Sequence, residues 1–483
     1  MKITRLCAPA LAGLTLAGCV TLGPDYRRPQ LPVPDAYSAG AATGEVPDAW
    51  WKLFGDPRLD QLVEEALAGN QDLVAAAARV EEARALAGVT RADRFPRLDS
   101  SLSGSRSQLS KQTAQVPPGV PLEFDRYRLS ASLSFEIDFW GRLARASEAA
   151  RAELLASEEG RRNVRLALAA DVAGAYFDLL AFDRQLAIAH STLETRSESV
   201  RLQKLRFDAG TISELDLAQA QAELASAEAT VPVLERAVRQ TEDRMAVLLG
   251  RIGGKVEHGD RLDDVKLPET PVGLPSDLLA RRPDVVAAEH GLVAANARIG
   301  VAKAELFPSI RLTGYYGSES KELADLLSTG TTIWQAALGL VQPIFNAGKG
   351  RRNLEAVRAR ERQALAGYTK AVESAFAEVE DALVARSTGA AERAALERQV
   401  EALSRARKLA NLRYEAGDAS YLEVLDADRF LFGAELEWVR ARRTELGAAV
   451  ALFRAIGGGW GGPDTGSTGG ATAAASDPGA GVE

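Results

Sequence analysis

A chain of 483 residues with a formal net charge of −8 is too long for one ordinary domain core and too acidic to favour nucleic acid as a partner. Hydrophobic residues make up 46% of the composition but aromatic residues only 6%, a balance typical of long helices and coiled coils. We therefore expect no nucleic-acid partner and no enzymatic activity, and either several domains or an internally repeated unit.

Residues 1–18 have the form of a bacterial lipoprotein signal peptide. Lys2 and Arg5 precede an apolar stretch that ends in the sequence LAGC at 16–19. A cysteine at the first mature position matches the lipobox, in which the thiol accepts a diacylglycerol. This predicts a covalent lipid on Cys19 and no other cofactor; the alternative is an ordinary signal peptide that happens to contain a cysteine. By resemblance to enteric lipoproteins, Val20 favours the outer membrane.

Composition divides the rest of the chain. Residues 19–57 are rich in Pro and Gly and should be mostly irregular, and residues 457–483 form a Gly/Ala-rich tail that we expect to be disordered. Between them the sequence predicts a first repeat over 58–249, a linker over 250–283 and a second repeat over 284–456.

Two pairs of similar segments indicate the repeat. LRFDAGTISELDLAQAQ (205–221) matches LRYEAGDASYLEVLDAD (412–428), and GVTRADRFP (88–96) matches GVAKAELFP (300–308). Both offsets are slightly over 200 residues, much longer than a solenoid period, so they predict two similar halves.

Each half contains two alternating stretches. They cover 97–105 and 126–138 in the first half and 309–318 and 331–343 in the second. In 126–138, apolar side chains alternate with Arg, Ser and acidic side chains, which is the period of a strand with one apolar face. Such lengths are near the 9–11 residues that span a bilayer when tilted. A soluble, half-buried sheet is the alternative.

Long helices follow the predicted strands. Residues 142–208 contain no Pro and would be roughly 100 Å long if fully helical. Pro232 lies inside the next predicted helix and should kink or interrupt it. Sustained heptads predict coiled-coil packing. The first apolar seam is formed by Val172, Leu179, Leu186, Leu193, Val200 and Phe207.

No segment after the signal peptide has eighteen consecutive apolar residues, so the sequence predicts no spanning helix. Four antiparallel strands cannot close a barrel, and an open edge in hydrocarbon leaves backbone groups unpaired. If the strands span a membrane, other copies of the chain must complete the barrel, and three copies would give twelve strands.

Several segments together carry a family resemblance. They are DAWWKLFGDPRLDQLVEEAL (48–67), IDFWGRLARA (137–146), LARRPDVVAAE (279–289), PIFNAGKGRRN (343–353) and the two Ala-Gly turns. In this order they resemble the TolC-like outer-membrane efflux channels, specifically the lipoprotein branch that serves resistance-nodulation-division pumps.

The resemblance implies an α+β membrane protein with an internal two-fold repeat. It would form a homotrimer in which a 12-stranded outer-membrane β-barrel, with four strands per chain, continues into a long periplasmic α-helical barrel. The chain would be lipid-anchored in the bacterial outer membrane. Its partners would be outer-membrane lipid, a periplasmic adaptor (membrane fusion) protein and an inner-membrane resistance-nodulation-division pump. The implied function is an exit channel for drugs or other small toxic compounds.

The two Ala-Gly breaks predict tip turns at 207–213 and 414–420. Gly210 and Gly417 are expected to adopt positive φ angles that stop one helix and let the chain reverse. Ser213 and Ser420 are expected to be the N-caps of the returning helices.

Acidic side chains follow each turn. Simple complementarity to the helix dipole would explain them. By resemblance, however, Asp216 and Tyr414 match positions that hold the closed tip together, while Glu423 and Asp426 match an acidic constriction. Ala419 stands where some relatives have a basic tip partner, so that link should be absent. The hypothesis is a gate at the periplasmic tip that the adaptor opens.

Two other interpretations stay open. The chain could be the exit channel of another exporter class, for protein secretion or metal efflux, or a lipid-anchored coiled-coil scaffold. The three histidines, His190, His258 and His290, lack the spacing of metal ligands, so we expect no metal site.

Overall fold

The computed structural model describes residues 21–34, 36–37, 46–110, 112, 121–259, 261–269 and 278–459. The signal peptide, Cys19 and the predicted tail beyond residue 459 lie outside these residues.

The described elements repeat in order and in length. The two longest helices each have 67 residues, and the helix that follows each of them has 35. The helices are α1 Pro57–Gly69, α2 Gln71–Ala92, α3 Arg142–Asp208, α4 Glu214–Leu248, α5 Leu278–Arg281, α6 Pro283–Ala304, α7 Lys349–Glu415 and α8 Tyr421–Ala455. The strands are β1 Arg97–Gln108, β2 Glu123–Ile137, β3 Ser309–Ser320 and β4 Thr332–Val341.

In the part of the chain that the structure describes, no helix combines the length and the apolar character needed to cross a membrane.

The strands differ slightly from the predicted ranges. β1 and β3 extend beyond their predicted ends, β2 begins three residues earlier than predicted, and β4 is shorter than 331–343. The antiparallel ladder explains the extensions, since Gln108 pairs with Glu123 and Tyr127 pairs with Ser320.

Of the two outcomes predicted at Pro232, a kink or an interruption, the interruption is wrong, because α4 continues through this residue. Its neighbours Val231 and Leu234 are buried in a cluster with Ala189 of α3. Tertiary packing of this face outweighs the loss of one backbone donor.

The chain forms two compact units. The first takes Met1–Pro34, Leu67–Leu168 and Leu278–Ala377. The second takes Asp35–Ala66, Ala169–Asp277 and Glu378–Glu483. All four described strands belong to the first unit, and both predicted tip turns belong to the second.

In the first unit the strands form one antiparallel sheet in the order β1-β2-β3-β4. The register places apolar side chains opposite one another, as in the pairs Leu98–Leu133 and Leu312–Leu338. These apolar side chains are exposed; Leu98 and Leu338 each keep 70% of their accessible surface. The sheet therefore has a continuous exposed apolar face, the kind that marks an interaction surface.

The N-terminal segment of the first unit is fixed to the helices by ionic contacts. Arg28 forms a bidentate contact with Glu289 of α6, which also accepts a hydrogen bond of 3.1 Å from Tyr26. Arg145 of α3 is 93% buried at its side chain and contacts Asp25 at 2.6 Å. Because the side chains of Glu289 and Arg145 are mostly buried, these contacts hold residues 25–28 in a defined place.

An aromatic cluster forms the core of the second unit. Trp50 stacks on Phe453 at 5.1 Å between ring centroids, and Phe54 lies 5.0 Å from Phe177. Trp50 and Phe54 lie on a 3-10 helix, Trp50–Phe54, within the segment predicted to be mostly irregular. Burial of these large rings orders the short helix despite the prolines and glycines around it.

His258 joins the loop after α4 to two helices of the same unit. Its Nδ1 lies 2.5 Å from Asp183 of α3, and its Nε2 lies 3.4 Å from Glu242 of α4. The hydrogen bond to Asp183 raises the pKa of His258 above its ordinary value, although partial burial opposes this change. The protonated imidazole is therefore favoured in the folded chain.

The His258 contact should make stability depend on pH. Since the pKa is higher in the folded state, the stabilisation is fully present below the ordinary value of 6.5 and is lost as pH rises through the folded pKa. The Tm difference between the wild type and His258→Gln should be larger at about pH 5.5 than at about pH 9. His190→Gln, which removes an exposed histidine, is the control. Equal Tm differences at both pH values would contradict this account.

Candidate functional site at the hairpin tips

The two long helices reverse direction at glycines. Gly210 has a φ of 70° and Gly417 a φ of 82°. In the first turn the N–H of Thr211 donates to Arg206 at 2.9 Å, and in the second the N–H of Asp418 donates to Arg413 at 2.9 Å. These are the capping bonds of a helix that ends in a left-handed residue. The two chain reversals are thus built in the same way.

The helices that leave the turns are capped differently. The Ser213 hydroxyl accepts a hydrogen bond from the N–H of Asp216, and the Asp216 carboxylate accepts from the N–H of Ser213, which completes a capping box. Ser420 has the N-cap position and an extended backbone, but its side chain makes no capping hydrogen bond. Ser420 is therefore the N-cap residue, as predicted, but it lacks the side-chain hydrogen bond that Ser213 makes.

The acids after the second turn are paired with arginines. Glu423 lies 3.0 Å from Arg413 at the end of α7, and Asp426 lies 2.9 Å from Arg429 one turn along α8. All four side chains are 44–57% exposed. Arg413 takes the carboxylate that would otherwise face Ser420, which explains the absence of a second capping box.

Tyr414 connects the two hairpins of one chain. Its hydroxyl accepts hydrogen bonds from Arg206 at 2.6 Å and from Gln203 at 3.2 Å, both on α3. The Arg206 guanidinium also lies 5.2 Å from the centroid of the Tyr414 ring. Phe207, the repeat counterpart of Tyr414, has no hydroxyl and is 37% exposed. Asp216 and Tyr414 thus have different partners within the chain.

A second tyrosine continues this connection. The hydroxyl of Tyr421 in α8 lies 2.6 Å from that of Ser199 in α3. Burial raises the pKa of Tyr421 above its ordinary value. Tyr421 packs in an apolar cluster with Ala220 and Val424. The hairpins are therefore joined by a polar contact at the tip and by a buried contact next to it.

Charged pairs lie further from the turns. Arg196 of α3 lies 3.0 Å from Glu223 of α4, and Arg407 of α7 lies 2.5 Å from Asp428 of α8. Burial raises the pKa of the Asp428 carboxyl, and Arg407 and Arg196 oppose that effect. Each pair crosslinks the two helices of one hairpin. Within the described ranges, no group of three His, Cys, Asp or Glu side chains could hold a metal ion.

The sequence did not indicate which residues bind Tyr414. Arg206 and Arg413 were visible as a repeated pair, because both precede the Ala-Gly turn by three positions. The repeat could not show that Arg206 reaches the other hairpin whereas Arg413 stays within its own. Ser199 and Gln203 carry no sequence signal, because polar residues on a helix are common.

The chain thus combines two long helical hairpins, whose tips belong to one unit, with a four-stranded antiparallel sheet that belongs to the other. The family model of the outer membrane efflux protein matches residues 62–251 and 274–458. The chain belongs to this family and is an efflux channel of the bacterial outer membrane.

Relatives of known name match almost the whole chain. The solvent efflux pump outer membrane protein SrpC of Pseudomonas putida is 37% identical over 95% of this chain and 99% of its own length. The cation efflux system protein CusC of Escherichia coli O6:H1 is 36% identical over 94% of this chain and 98% of its own.

Solved structures have the same fold. The outer-membrane channel OprN has a TM-score of 0.84 and 34% identity, and covers 91% of this chain and 99% of its own. The CmeC channel of Campylobacter jejuni has a TM-score of 0.87 and 25% identity, and covers 91% of this chain and 95% of its own.

The difference in capping predicts unequal effects of one substitution. Ser213→Ala should destabilise the start of α4 by about 1 kcal/mol, the usual contribution of an N-cap side chain. Ser420→Ala should destabilise the start of α8 by much less, because the Ser420 hydroxyl makes no capping hydrogen bond. Hydrogen exchange of the amides after each turn measures both. Equal increases in exchange would contradict the difference in capping.

Proposed function

We propose that the chain acts as a homotrimer that forms the exit channel of a tripartite efflux pump. The partners would be a periplasmic adaptor (membrane fusion) protein and an inner-membrane resistance-nodulation-division pump. Membership of the outer membrane efflux protein family supports this assembly. An exit channel of this kind needs no cofactor and performs no catalysis.

The transported compounds are proposed from the relatives. SrpC is named for solvent efflux, and the toluene efflux pump protein TtgI is also 37% identical to this chain. Small apolar toxic compounds are therefore the first candidate substrates. Cation efflux is the second, because CusC is nearly as similar.

A deletion experiment separates these substrates. Loss of the gene should lower the inhibitory concentrations of solvents and apolar antibiotics, and the intact chain should restore them. If only copper or silver tolerance falls, the cation role replaces the solvent role. If tolerance to solvents, antibiotics and metals is all unchanged, and the adaptor and pump do not co-purify with the channel, the proposal of a tripartite assembly is wrong.

Cys19 is proposed as the site of lipid attachment, with the lipid in the periplasmic leaflet of the outer membrane. The fixed position of residues 25–28 supports this, since it holds the chain a few residues after Cys19 against the first unit.

The hairpin tips are proposed as the gate. The observation that supports this best is the hydroxyl of Tyr414, which accepts from Arg206 at 2.6 Å and from Gln203 at 3.2 Å across two hairpins. Loss of these bonds would release the end of α7 from α3 at the tip. Glu423 and Asp426 would line the opening, with their charge largely balanced by Arg413 and Arg429.

Tyr414→Phe tests the gate. Removal of the hydroxyl eliminates both hydrogen bonds but keeps the ring, so single-channel conductance in planar bilayers should rise several-fold. Tyr316→Phe is the control, because Tyr316 is an exposed residue of β3, which belongs to the other unit. Unchanged conductance in Tyr414→Phe would refute the gating role of this contact without affecting the export function.

A further inference from the structure

A patch of exposed apolar and basic residues lies in the first unit, in the loop after β4 and the first turn of α7. Ile344 and Phe345 keep 94% and 91% of their accessible surface. They are followed within eight residues by Lys349, Arg351 and Arg352, all exposed. We call these five residues the junction patch. Two almost fully exposed apolar side chains lie next to three cations, so the patch is amphipathic. Exposed apolar surface of this kind marks an interaction site.

The position of the junction patch is defined by the sheet. β4 ends at Val341, three residues before Ile344, and its apolar face is exposed at Trp334 and Leu338. Because the channel crosses the outer membrane, this face meets hydrocarbon, and the helices that follow the strands lie in the periplasm. The junction patch therefore lies at the level of the lipid headgroups in the periplasmic leaflet.

The basic residues of the patch lie where a helix usually has acidic residues, in its first turn. The first turn of α7 contains no acidic residue, although acids there complement the helix dipole. α4 opens with Glu214 and Asp216, and α8 has Glu423 in its first turn, so the two helices that follow the tip turns obey the preference. A departure from a local rule marks a candidate functional site, and an anionic partner would balance the three cations of the patch.

The loop that presents the apolar pair is strained. Ala347 has a φ of 52°, a left-handed conformation that is unfavourable for a residue with a Cβ, and Gly348 follows with a φ of 82°. These two residues form a tight turn, which is closed by a hydrogen bond of 3.0 Å from the N–H of Lys349 to the carbonyl of Asn346. Strained backbone of this kind persists where function requires it.

We propose that the junction patch binds anionic phospholipid of the periplasmic leaflet. Ile344 and Phe345 insert between acyl chains, and Lys349, Arg351 and Arg352 contact the headgroup phosphates. Arg352 also pairs with Glu355 at 2.7 Å, but both side chains are exposed, so this pair competes weakly with a phosphate. In the described chain, neither Lys349 nor Arg351 forms an ion pair. The proposal rests on insertion in the outer membrane and not on which compounds are exported.

The experiment measures thermal stabilisation of the purified full-length channel in neutral detergent by phosphatidylglycerol. Phosphatidylcholine, which has a phosphate but no net charge, is the comparison lipid. Each cation near an anionic surface contributes about fivefold to affinity. Arg351→Gln with Arg352→Gln should therefore raise the midpoint concentration of phosphatidylglycerol by about thirtyfold, and leave the response to phosphatidylcholine unchanged.

A matched variant controls for charge. Arg358→Gln with Arg362→Gln removes two exposed arginines from the same helix, roughly 10–15 Å further from the strands. It should leave the midpoint unchanged, because this distance exceeds the range of screened attraction. Ile344→Ser with Phe345→Ser should weaken the binding of phosphatidylglycerol and of phosphatidylcholine by the same factor.

Two results would overturn the proposal. One is an unchanged midpoint in Arg351→Gln with Arg352→Gln, or an equal change in the control. The other is dissociation of that variant into single chains in phosphatidylcholine alone, which would make the patch a contact between copies. If deletion of the gene changes no inhibitory concentration while the purified channel binds lipid as expected, the proposed function is wrong and this inference stands.

Discussion

The structure at the tips depends on two glycines that adopt left-handed conformations 207 positions apart. At Gly210 and Gly417 nothing lies close enough to obstruct a Cβ, so φ alone requires glycine. Without these reversals, α3 and α7 could not return as α4 and α8. The helical hairpins, and every contact between them, follow from these two turns.

Duplication fixes the backbone of the hairpins, but side chains make the two copies unequal. The first hairpin uses Asp216 to close a capping box within its own helix. The second pairs Glu423 with Arg413 and presents Tyr414 to the first. Phe207 lacks the hydroxyl that a symmetrical contact would need. The repeated scaffold thus carries contacts between the hairpins, from Tyr414 and Tyr421, that only the second copy supplies.

Much of this could be predicted because the signals are local or periodic. Glycine at the turns, heptads in the helices and alternation in the strands follow from backbone geometry and burial. These patterns can be read from residues that are close together in the sequence. The uninterrupted helix through Pro232 and the short Trp50–Phe54 helix could not be read from the local sequence, because tertiary packing outweighs local preference there. The partners of Tyr414 could not be predicted, since the contact joins residues more than 200 positions apart.

The central claim is that the contact between Arg206 and Tyr414 holds the tip closed. Its most direct test is a channel with Arg206→Cys and Tyr414→Cys, joined by a reducible bismaleimide. The sequence has only two cysteines, one in the signal peptide and Cys19, the proposed lipid site, so the crosslink would be specific. The account predicts low, wild-type conductance in the crosslinked channel and a several-fold rise after reduction. Equal conductance before and after reduction would contradict it.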